Sequence, residues 1–201
     1  MIKAIIFDFG NVICKFDDNI FLEKISKFTD KNVSELNYLI YISSDLTRKY
    51  ENGLITSDEF FKKIVKKCDL SISKKEFRNA YTNRNFMPIK TTINLIRKLK
   101  SKYKIALLSN TSEWDFEYII KKNEIFNLFD AISLSFKVKT MKPNPPIYLD
   151  CLAKLNLEPQ ECVFIDDKEK HVNGAKRIGI NAILYVSYEN LIDSLKNLNV
   201  L

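Results

Sequence analysis

Residues 3–17 read KAIIFDFGNVICKFD, an apolar run that stops abruptly at a carboxylate. The run from 4 to 7 has the length and composition of a buried β-strand, and Asp8, Phe9 and Gly10 follow it directly. Asp and Gly are common turn residues, so this pattern is consistent with a strand that simply ends. An open parallel sheet, however, binds ligands at the carboxyl ends of its strands, and an acid at that place is suited to chemistry.

The composition indicates an ordinary soluble protein. The 201 residues are 46% hydrophobic and 28% charged, which suits one domain or a core with a modest insertion. The net charge of +7 would suit an anionic partner, but the lysines are scattered, with acids between them, and form no basic block. We therefore expect a lysine-rich solvated surface and no nucleic-acid partner.

The cysteines and the apolar runs bear on location. Cys14, Cys68, Cys151 and Cys162 show no C-x-x-C spacing, which is typical of buried thiols in a reducing compartment. No apolar run approaches the roughly 18 residues of a membrane span, and the N-terminus has no signal-peptide pattern. The sequence therefore predicts a cytoplasmic protein without a membrane partner.

Five short apolar runs have the character of buried strands, and amphipathic stretches such as residues 88–102 and 145–156 lie between the later ones. This alternation predicts an α/β fold, in which a parallel sheet has helices on both faces. The predicted strands are 4–7, 105–108, 131–134, 162–165 and 182–186.

A long region without strand patterns separates the first two predicted strands. Within it apolar residues recur at helical spacing, as at Phe21, Leu22 and Ile25, and residues 57–59 read Ser-Asp-Glu, which is typical of a helix start. The sequence therefore predicts a helical domain inserted into the core domain. The predicted boundaries are 17–86 for the insertion and 1–16 with 87–201 for the core.

Polar residues follow four of the predicted strands. Because the carboxyl ends of parallel strands meet at one edge of the sheet, we expect these side chains to lie close together. In chain order they are Asp8 and Gly10, Ser109 and Asn110, Lys142 at the end of a longer loop, and Asp166 with Asp167.

Three of these residues indicate a metal site. Asp8, Asp166 and Asp167 offer hard carboxylate oxygens, which Mg²⁺ takes together with substrate phosphate and water. Three carboxylates in one place would also repel one another without a cation. The sequence therefore predicts Mg²⁺ as a cofactor, with these three acids among its ligands.

The remaining residues suit phosphate chemistry. The Ser109 hydroxyl and the backbone N–H groups that follow it, from Asn110 onward, can bind phosphate oxygens. Lys142 supplies a positive charge that holds the phosphoryl group beside the nucleophile. Asp8, in line with the phosphorus atom, can then form an aspartyl-phosphate. We expect Asp8 and Lys142 to be catalytic and the substrate to be a small phosphorylated molecule.

The stretches FDFGNV, LLSNT, MKP and FIDD, in this order, resemble the four motifs of the haloacid dehalogenase-like hydrolase superfamily. The resemblance implies that Asp8 is the nucleophile and that Ser109 is the hydroxyl of motif II. Lys142 falls on the lysine of motif III, and Asp166 and Asp167 fall on the acid pair of motif IV.

The same resemblance implies a Rossmann-like core and, for the inserted region, a four-helix cap of the C1 type. Residues 50–60, YENGLITSDEF, are similar to a stretch that is common in such caps. Substrate would then be closed in between the cap and the core, because lids of this kind exclude water.

One position departs from the family pattern. Phosphatases of the superfamily usually carry Asp-x-Asp in motif I, where the second Asp protonates the leaving group, but this chain has Gly10. The resemblance implies that the Gly10 carbonyl can still be a metal ligand. Gly10 has no side chain, however, to supply general acid–base catalysis, which typically increases the rate 10²–10⁴-fold. The chain resembles a subgroup that includes sugar-phosphate phosphatases of the α-D-glucose-1-phosphate phosphatase type. We expect a leaving group of low pKa, such as an anomeric hydroxyl or an acyl phosphate.

Three further residues have two interpretations each. Asp17 and Asp18 either reach over the site to replace the missing acid or form an ordinary N-cap cluster. His171 follows Asp167 by four residues. It either reaches the metal site or is a partly exposed residue of a helix.

The predicted function is Mg²⁺-dependent hydrolysis of a small phosphorylated metabolite, such as a sugar phosphate, through an aspartyl-phosphate. One alternative is a catalytically degenerate member of the superfamily that binds a phosphorylated ligand or a partner. A haloacid dehalogenase is less favoured, because dehalogenation needs no metal and would leave the Asp166–Asp167 pair without a role. The sequence predicts no particular oligomeric state.

Overall fold

The structure, a computed structural model, describes all 201 residues. It has seven strands: β1 (Ala4–Phe7), β2 (Cys14–Lys15), β3 (Met87–Pro88), β4 (Lys104–Ser109), β5 (Ala131–Leu134), β6 (Cys162–Asp166) and β7 (Asn181–Leu184). Five of them form a parallel sheet in the order β5-β4-β1-β6-β7, and β2 pairs with β3 in an antiparallel ribbon. The five predicted strands are confirmed, with ends that move by a residue or two.

The central strand explains why the sheet is covered on both faces. All four residues of β1 are buried. Ile5 and Phe7 point into one apolar cluster, and Ala4 and Ile6 point into another, as the alternation of side chains along a strand requires. A continuous apolar strand of this kind belongs inside an α/β fold, and the predicted fold class is confirmed.

The helices of the core follow the predicted alternation. They are α6 (Lys90–Leu99), α7 (Glu113–Tyr118), α8 (Ser135–Val138), α9 (Pro145–Leu155), α10 (Glu169–Lys176) and α11 (Tyr188–Asn197), and they come after five helices of the region between β2 and β3. None of the eleven α-helices has the length and apolarity that a bilayer crossing requires. All four cysteines are buried and unpaired, as predicted.

Residues 17–86, called the helical region below, contain no strand. The expected four helices are five, and residues 43–45, Ser-Ser-Asp, separate the second helix and its π-helical turn from the third. Thr56 caps the fourth helix through reciprocal hydrogen bonds with Glu59, which explains the predicted helix start. The helices are α1 (Asp18–Ile25), α2 (Val33–Asn37) with a π-helical turn (Tyr38–Ile42), α3 (Leu46–Glu51), α4 (Ser57–Cys68) and α5 (Lys74–Thr82).

The helical region packs directly on the core. It has its own buried apolar cluster, and the only core residue that joins this cluster is Trp114 of α7. The Trp114 ring meets Tyr50 at 5.7 Å and Tyr81 at 5.8 Å, and its backbone N–H donates to the Tyr50 hydroxyl. Ser57 also hydrogen-bonds Glu113 at the start of α7. These contacts hold the helical region over the carboxyl ends of the sheet.

Candidate active site

A buried lysine connects the predicted acids. The Lys142 ammonium lies 2.8 Å from Asp8 Oδ1 and 2.6 Å from Asp166 Oδ2, and it donates to the Leu108 carbonyl at 3.0 Å. Leu108 belongs to β4, Asp8 follows β1 and Asp166 ends β6, so three neighbouring strands meet at this ammonium. The structure therefore brings together residues that are far apart in the sequence.

The backbone of Lys142 is held by Asn110. The Lys142 N–H donates to Asn110 Oδ1 at 2.8 Å, and Asn110 Nδ2 donates to the Lys142 carbonyl at 3.1 Å. Asn110 thus uses its side chain to position the lysine. The Ser109 hydroxyl has only a long 3.5 Å approach to the Asn110 carbonyl, which leaves it free to bind a ligand.

Burial and charge set the protonation of this group. Burial raises the pKa of Asp8 to about 7, with a further contribution from Asp166, against the opposing pull of Lys142. Burial also acts to raise the pKa of Asp166, but Lys142 and His171 outweigh it and hold that pKa at about 2. The two carboxylates in turn raise the pKa of Lys142 in spite of its burial. Lys142 and Asp166 are therefore a charged pair, and Asp8 is the group that needs additional positive charge to stay ionised at neutral pH.

The three acids also meet the requirements of a cation site. Carboxylate oxygens of Asp8, Asp166 and Asp167 lie within 4.8 Å of one another. Asp167 Oδ2 accepts a hydrogen bond from Asn11 at 3.0 Å, whereas its Oδ1 is buried and has no partner. An orphaned carboxylate oxygen beside two other acids fits a hard cation such as Mg²⁺. Asn11, with φ of 57°, also forms the turn after β1.

His171 is buried beside Asp166. Its Nδ1 lies 3.0 and 3.1 Å from the two Asp166 oxygens, and only 3% of the residue is exposed. Burial lowers the pKa of His171 more than the hydrogen bond to Asp166 raises it, so the ring is neutral at pH 7 and Nδ1 carries the shared proton. The interpretation of His171 as a partly exposed residue of a helix is thus wrong, because the first turn of α10 points inward at this position.

A cavity of about 530 Å³ opens between these residues and the helical region. Its lining from the core includes Asp8, Gly10, Ser109, Lys142 and Asp167, and its lining from the helical region includes Asp18, Tyr41, Thr47, Glu51 and Arg84. Sequence reasoning missed four of the latter, namely Tyr41, Thr47, Glu51 and Arg84. The only available signal was the resemblance of residues 50–60 to a stretch of known caps, which contains Glu51.

The acids considered as substitutes at Gly10 are both engaged. Asp17 is the N-cap of α1 and accepts a hydrogen bond from the Asn19 N–H at 2.9 Å. Asp18 lines the cavity but pairs with the buried Arg84 at 2.5 Å, and Arg84 also pairs with Asp115 of α7 at 2.5 Å. The N-cap interpretation is therefore confirmed for Asp17. Asp18 pairs with Arg84 within the helical region, and Arg84 in turn pairs with Asp115 of the core.

The fold and the cluster of Asp8, Asp166 and Asp167 at the carboxyl ends of the strands together define a class of enzyme. Comparison with known proteins identifies this class. The chain belongs to the haloacid dehalogenase-like hydrolase family, whose sequence profile matches residues 5–185. The chain is 24% identical to D-ribitol-5-phosphate phosphatase of Bacteroides thetaiotaomicron over 187 residues, which cover 89% of each protein. It is also 31% identical to hexitol phosphatase B of Escherichia coli, over 80 residues that cover 40% of this chain and 36% of that protein.

A solved structure supports the same family. A haloacid dehalogenase family enzyme from Bacteroides thetaiotaomicron, in complex with magnesium and inorganic phosphate, superposes with a TM-score of 0.79. That enzyme is 27% identical in sequence, and the match covers 92% of this chain and 94% of the other. The predicted family, the Rossmann-like fold and the assignment as a hydrolase are confirmed.

Proposed function

We propose that the chain is a phosphatase that hydrolyses a small polyhydroxylated phosphate ester, with Asp8 as the nucleophile. The observation that carries this proposal is the Lys142 ammonium, which bridges Asp8 and Asp166 beside the orphaned oxygen of Asp167. This arrangement pairs a nucleophilic carboxylate with a fixed positive charge for the phosphoryl oxygens. The names of the two phosphatases described above support a polyhydroxylated phosphate as substrate. Those two proteins are named for polyol substrates, whereas the missing acid at Gly10 favours, among polyhydroxylated phosphates, a sugar phosphate esterified at its anomeric oxygen.

The chain's own residues account for the phosphoryl transfer. An Asp8 oxygen forms a bond to phosphorus while the bond from phosphorus to the leaving alcohol breaks, which gives an aspartyl-phosphate. Lys142 and the Ser109 hydroxyl hold the phosphoryl oxygens, and Asn110 keeps Lys142 in place. Water then attacks the phosphorus of the intermediate, the bond from phosphorus to the Asp8 oxygen breaks, and inorganic phosphate leaves with the Asp8 carboxylate restored. The proton that water gives up balances the proton that the leaving alkoxide takes from solvent in the first step.

Mg²⁺ is the proposed cofactor, and the residues present fit it. Asp167 has a buried oxygen without a partner, Asp8 is the second proposed ligand, and the Gly10 carbonyl is the third. Asp166 already accepts hydrogen bonds from Lys142 and from the Lys168 N–H, so its main proposed part is to orient the lysine. Bound there, Mg²⁺ would neutralise negative charge on the phosphoryl oxygens.

The missing acid at Gly10 shapes the proposed substrate preference. A Cβ at Gly10 would lie 3.0 Å from Cε1 of Phe16, so that ring occupies the space into which a longer side chain would project. We therefore propose that the rate of hydrolysis falls least for esters whose leaving group has a low pKa, because such a leaving group does not need to be protonated by a side chain. A panel of anomeric, acyl and primary-alcohol phosphates tests it, and best turnover of simple primary-alcohol esters would contradict it.

The proposed domain boundaries assign 17–86 to a cap and 1–16 with 87–201 to the core. The short β2–β3 ribbon lies where the chain leaves and re-enters the core, which supports these boundaries. Residues of the helical region form one wall of the cavity above Asp8. We infer that this wall selects the substrate, as lids commonly do.

Turnover of a chromogenic phosphate ester with added Mg²⁺ tests the proposed function. We expect activity in the wild type, loss on chelation with EDTA, return with Mg²⁺, and loss in the Asp8→Asn variant. Activity that survives chelation would contradict Mg²⁺ as the cofactor, and turnover of a 2-haloacid in place of the phosphate ester would favour the dehalogenase. Binding of phosphorylated ligands without turnover would favour the degenerate alternative. The Asp193→Asn variant, which changes an exposed acid on α11, is the matched control.

A further inference from the structure

Unpartnered polar atoms are concentrated in the cavity. Six buried side-chain nitrogen or oxygen atoms in the chain have no hydrogen-bond partner, and four of them belong to residues that line this cavity. These four are Tyr41 Oη, Thr47 Oγ1, Arg84 Nε and Asp167 Oδ1. A buried polar atom without a partner is destabilising, so such a concentration indicates a ligand that supplies the partners.

Two of these atoms belong to neighbouring elements of the helical region. Tyr41 lies in the π-helical turn Tyr38–Ile42, where the Ser43 N–H donates to the Tyr38 carbonyl at 2.7 Å. Such turns are rare and are found frequently at functional sites. Thr47 lies in the first turn of α3, and Glu51 is four residues further on, so both are on the same face of that helix.

Glu51 adds a third group to this wall. It lines the cavity, and its carboxyl group makes no hydrogen bond or ion pair with the protein, although its backbone carbonyl accepts one from Ser135. Burial, with a further contribution from Asp115, raises its pKa to about 7. At neutral pH the carboxyl group can therefore accept or donate a hydrogen bond.

The chemistry of these groups matches alcohol hydroxyls. Two protein hydroxyls and a carboxyl group can each pair with a hydroxyl, which is both donor and acceptor. A flat aromatic base would instead need free ring faces for stacking. The nearby Phe16 and Phe86 rings pack against the Arg84 guanidinium, at 5.2 and 5.4 Å.

We propose that Tyr41, Thr47 and Glu51 form a binding site for adjacent hydroxyl groups of the leaving alcohol, on the opposite side of the cavity from Asp8. This inference rests on the proposed phosphatase function and deepens it, because it names the residues that select a polyhydroxylated substrate. They act as specificity-determining residues.

The test compares two esters in variants that remove one hydroxyl group, which Tyr41→Phe deletes and Thr47→Val replaces with a methyl group. Tyr41→Phe and Thr47→Val keep the shape of the side chain. The readout is the ratio of kcat/KM for the best polyol or sugar phosphate to kcat/KM for p-nitrophenyl phosphate, which has no alcohol hydroxyls. We expect each variant to lower this ratio about three- to tenfold, mainly through KM. Tyr38→Phe, on the exposed side of the same π-helical turn, should leave the ratio unchanged.

Stability provides an independent readout. Because the two hydroxyls have no partner in the protein, their removal should leave Tm unchanged or raise it. An unchanged ratio, or best turnover of a flat nucleotide or flavin phosphate, overturns the inference while the phosphatase function stands. A wild type that hydrolyses neither ester overturns the proposed function, and the inference falls with it. A large drop in Tm would show that the hydroxyls serve the fold and would also overturn the inference.

Discussion

Lys142 and Asp166 form an ion pair of 2.6 Å in which neither side chain is exposed to solvent. Isolated charges are unstable in such a place, and the pair persists because each partner has additional contacts. Lys142 also meets Asp8, and Asp166 also meets His171. The positive charge of Lys142 that the proposed chemistry needs is therefore fixed before any substrate enters.

Replacing Lys142 with Met should destabilise the fold strongly. The change leaves the buried Asp166 carboxylate without its counter-charge, and breaking a buried pair in this way costs about 3–5 kcal/mol. Urea denaturation of the metal-free protein measures the free energy of unfolding. Lys121→Met is the control, because Lys121 pairs with Glu117 on an exposed helix surface and should contribute little. Equal effects of the two variants would contradict a buried charged pair.

Asp167→Asn should weaken Mg²⁺ binding more than it weakens the fold. The variant keeps an oxygen and the size of the side chain but removes the charge beside the orphaned Oδ1 position. We expect affinity to fall about tenfold or more, since even outer partners of metal ligands change it 10–100-fold. The measurement is the rise in Tm with added Mg²⁺. A rise identical to that of the wild type would remove Asp167 from the metal site.

The Glu51 carboxyl group should make the protein less stable as pH rises. Its pKa is about 7 in the folded state against an ordinary value of 4.5, so the unfolded chain loses this proton first. The contribution of Glu51 to the free energy of unfolding therefore falls between about pH 4.5 and 7. The charged groups around it are Asp115, Arg84, Lys168 and Asp18.

Glu51→Gln removes this titration. We expect the variant to have a higher Tm than the wild type above pH 7 and an equal Tm in acid, below the ordinary pKa of Glu. Thermal unfolding across this pH range measures the difference. A constant difference at every pH would show that Glu51 acts through packing and not through its charge.

Gly53→Ala should destabilise the contact between the helical region and the core. Gly53 has φ of +65°, and an added Cβ would overlap the carbonyl oxygen of Phe136. We expect a loss of about 1–3 kcal/mol from backbone strain, with a further loss from the overlap. Gly179→Ala is a matched control, because its φ is +88° but its nearest neighbour would lie 3.4 Å away. If both variants lose the same amount, the close approach to Phe136 has no energetic effect.

The sequence predicted the sheet and the polar residues at the carboxyl ends of its strands, because both follow from local patterns. Continuous apolar runs determine the strands, and their common direction brings Asp8, Lys142 and Asp166 to one edge. The cavity wall could not be predicted in this way, since Tyr41 and Thr47 depend on how helices pack over the sheet. The π-helical turn departs from the 3.6-residue period, so no periodicity in the sequence indicates it. The inward direction of His171 likewise depends on tertiary contacts, because its ring is buried against Asp166.

Trp114 is the only tryptophan of the chain, and its ring lies among the aromatic residues of the helical region although α7 belongs to the core. The intrinsic fluorescence of Trp114 therefore reports on the boundary between the helical region and the core. Any movement that lifts the helices from the sheet transfers this indole toward water, so its intrinsic fluorescence should shift to longer wavelength. Opening and closing can then be followed by stopped-flow emission without attaching a dye.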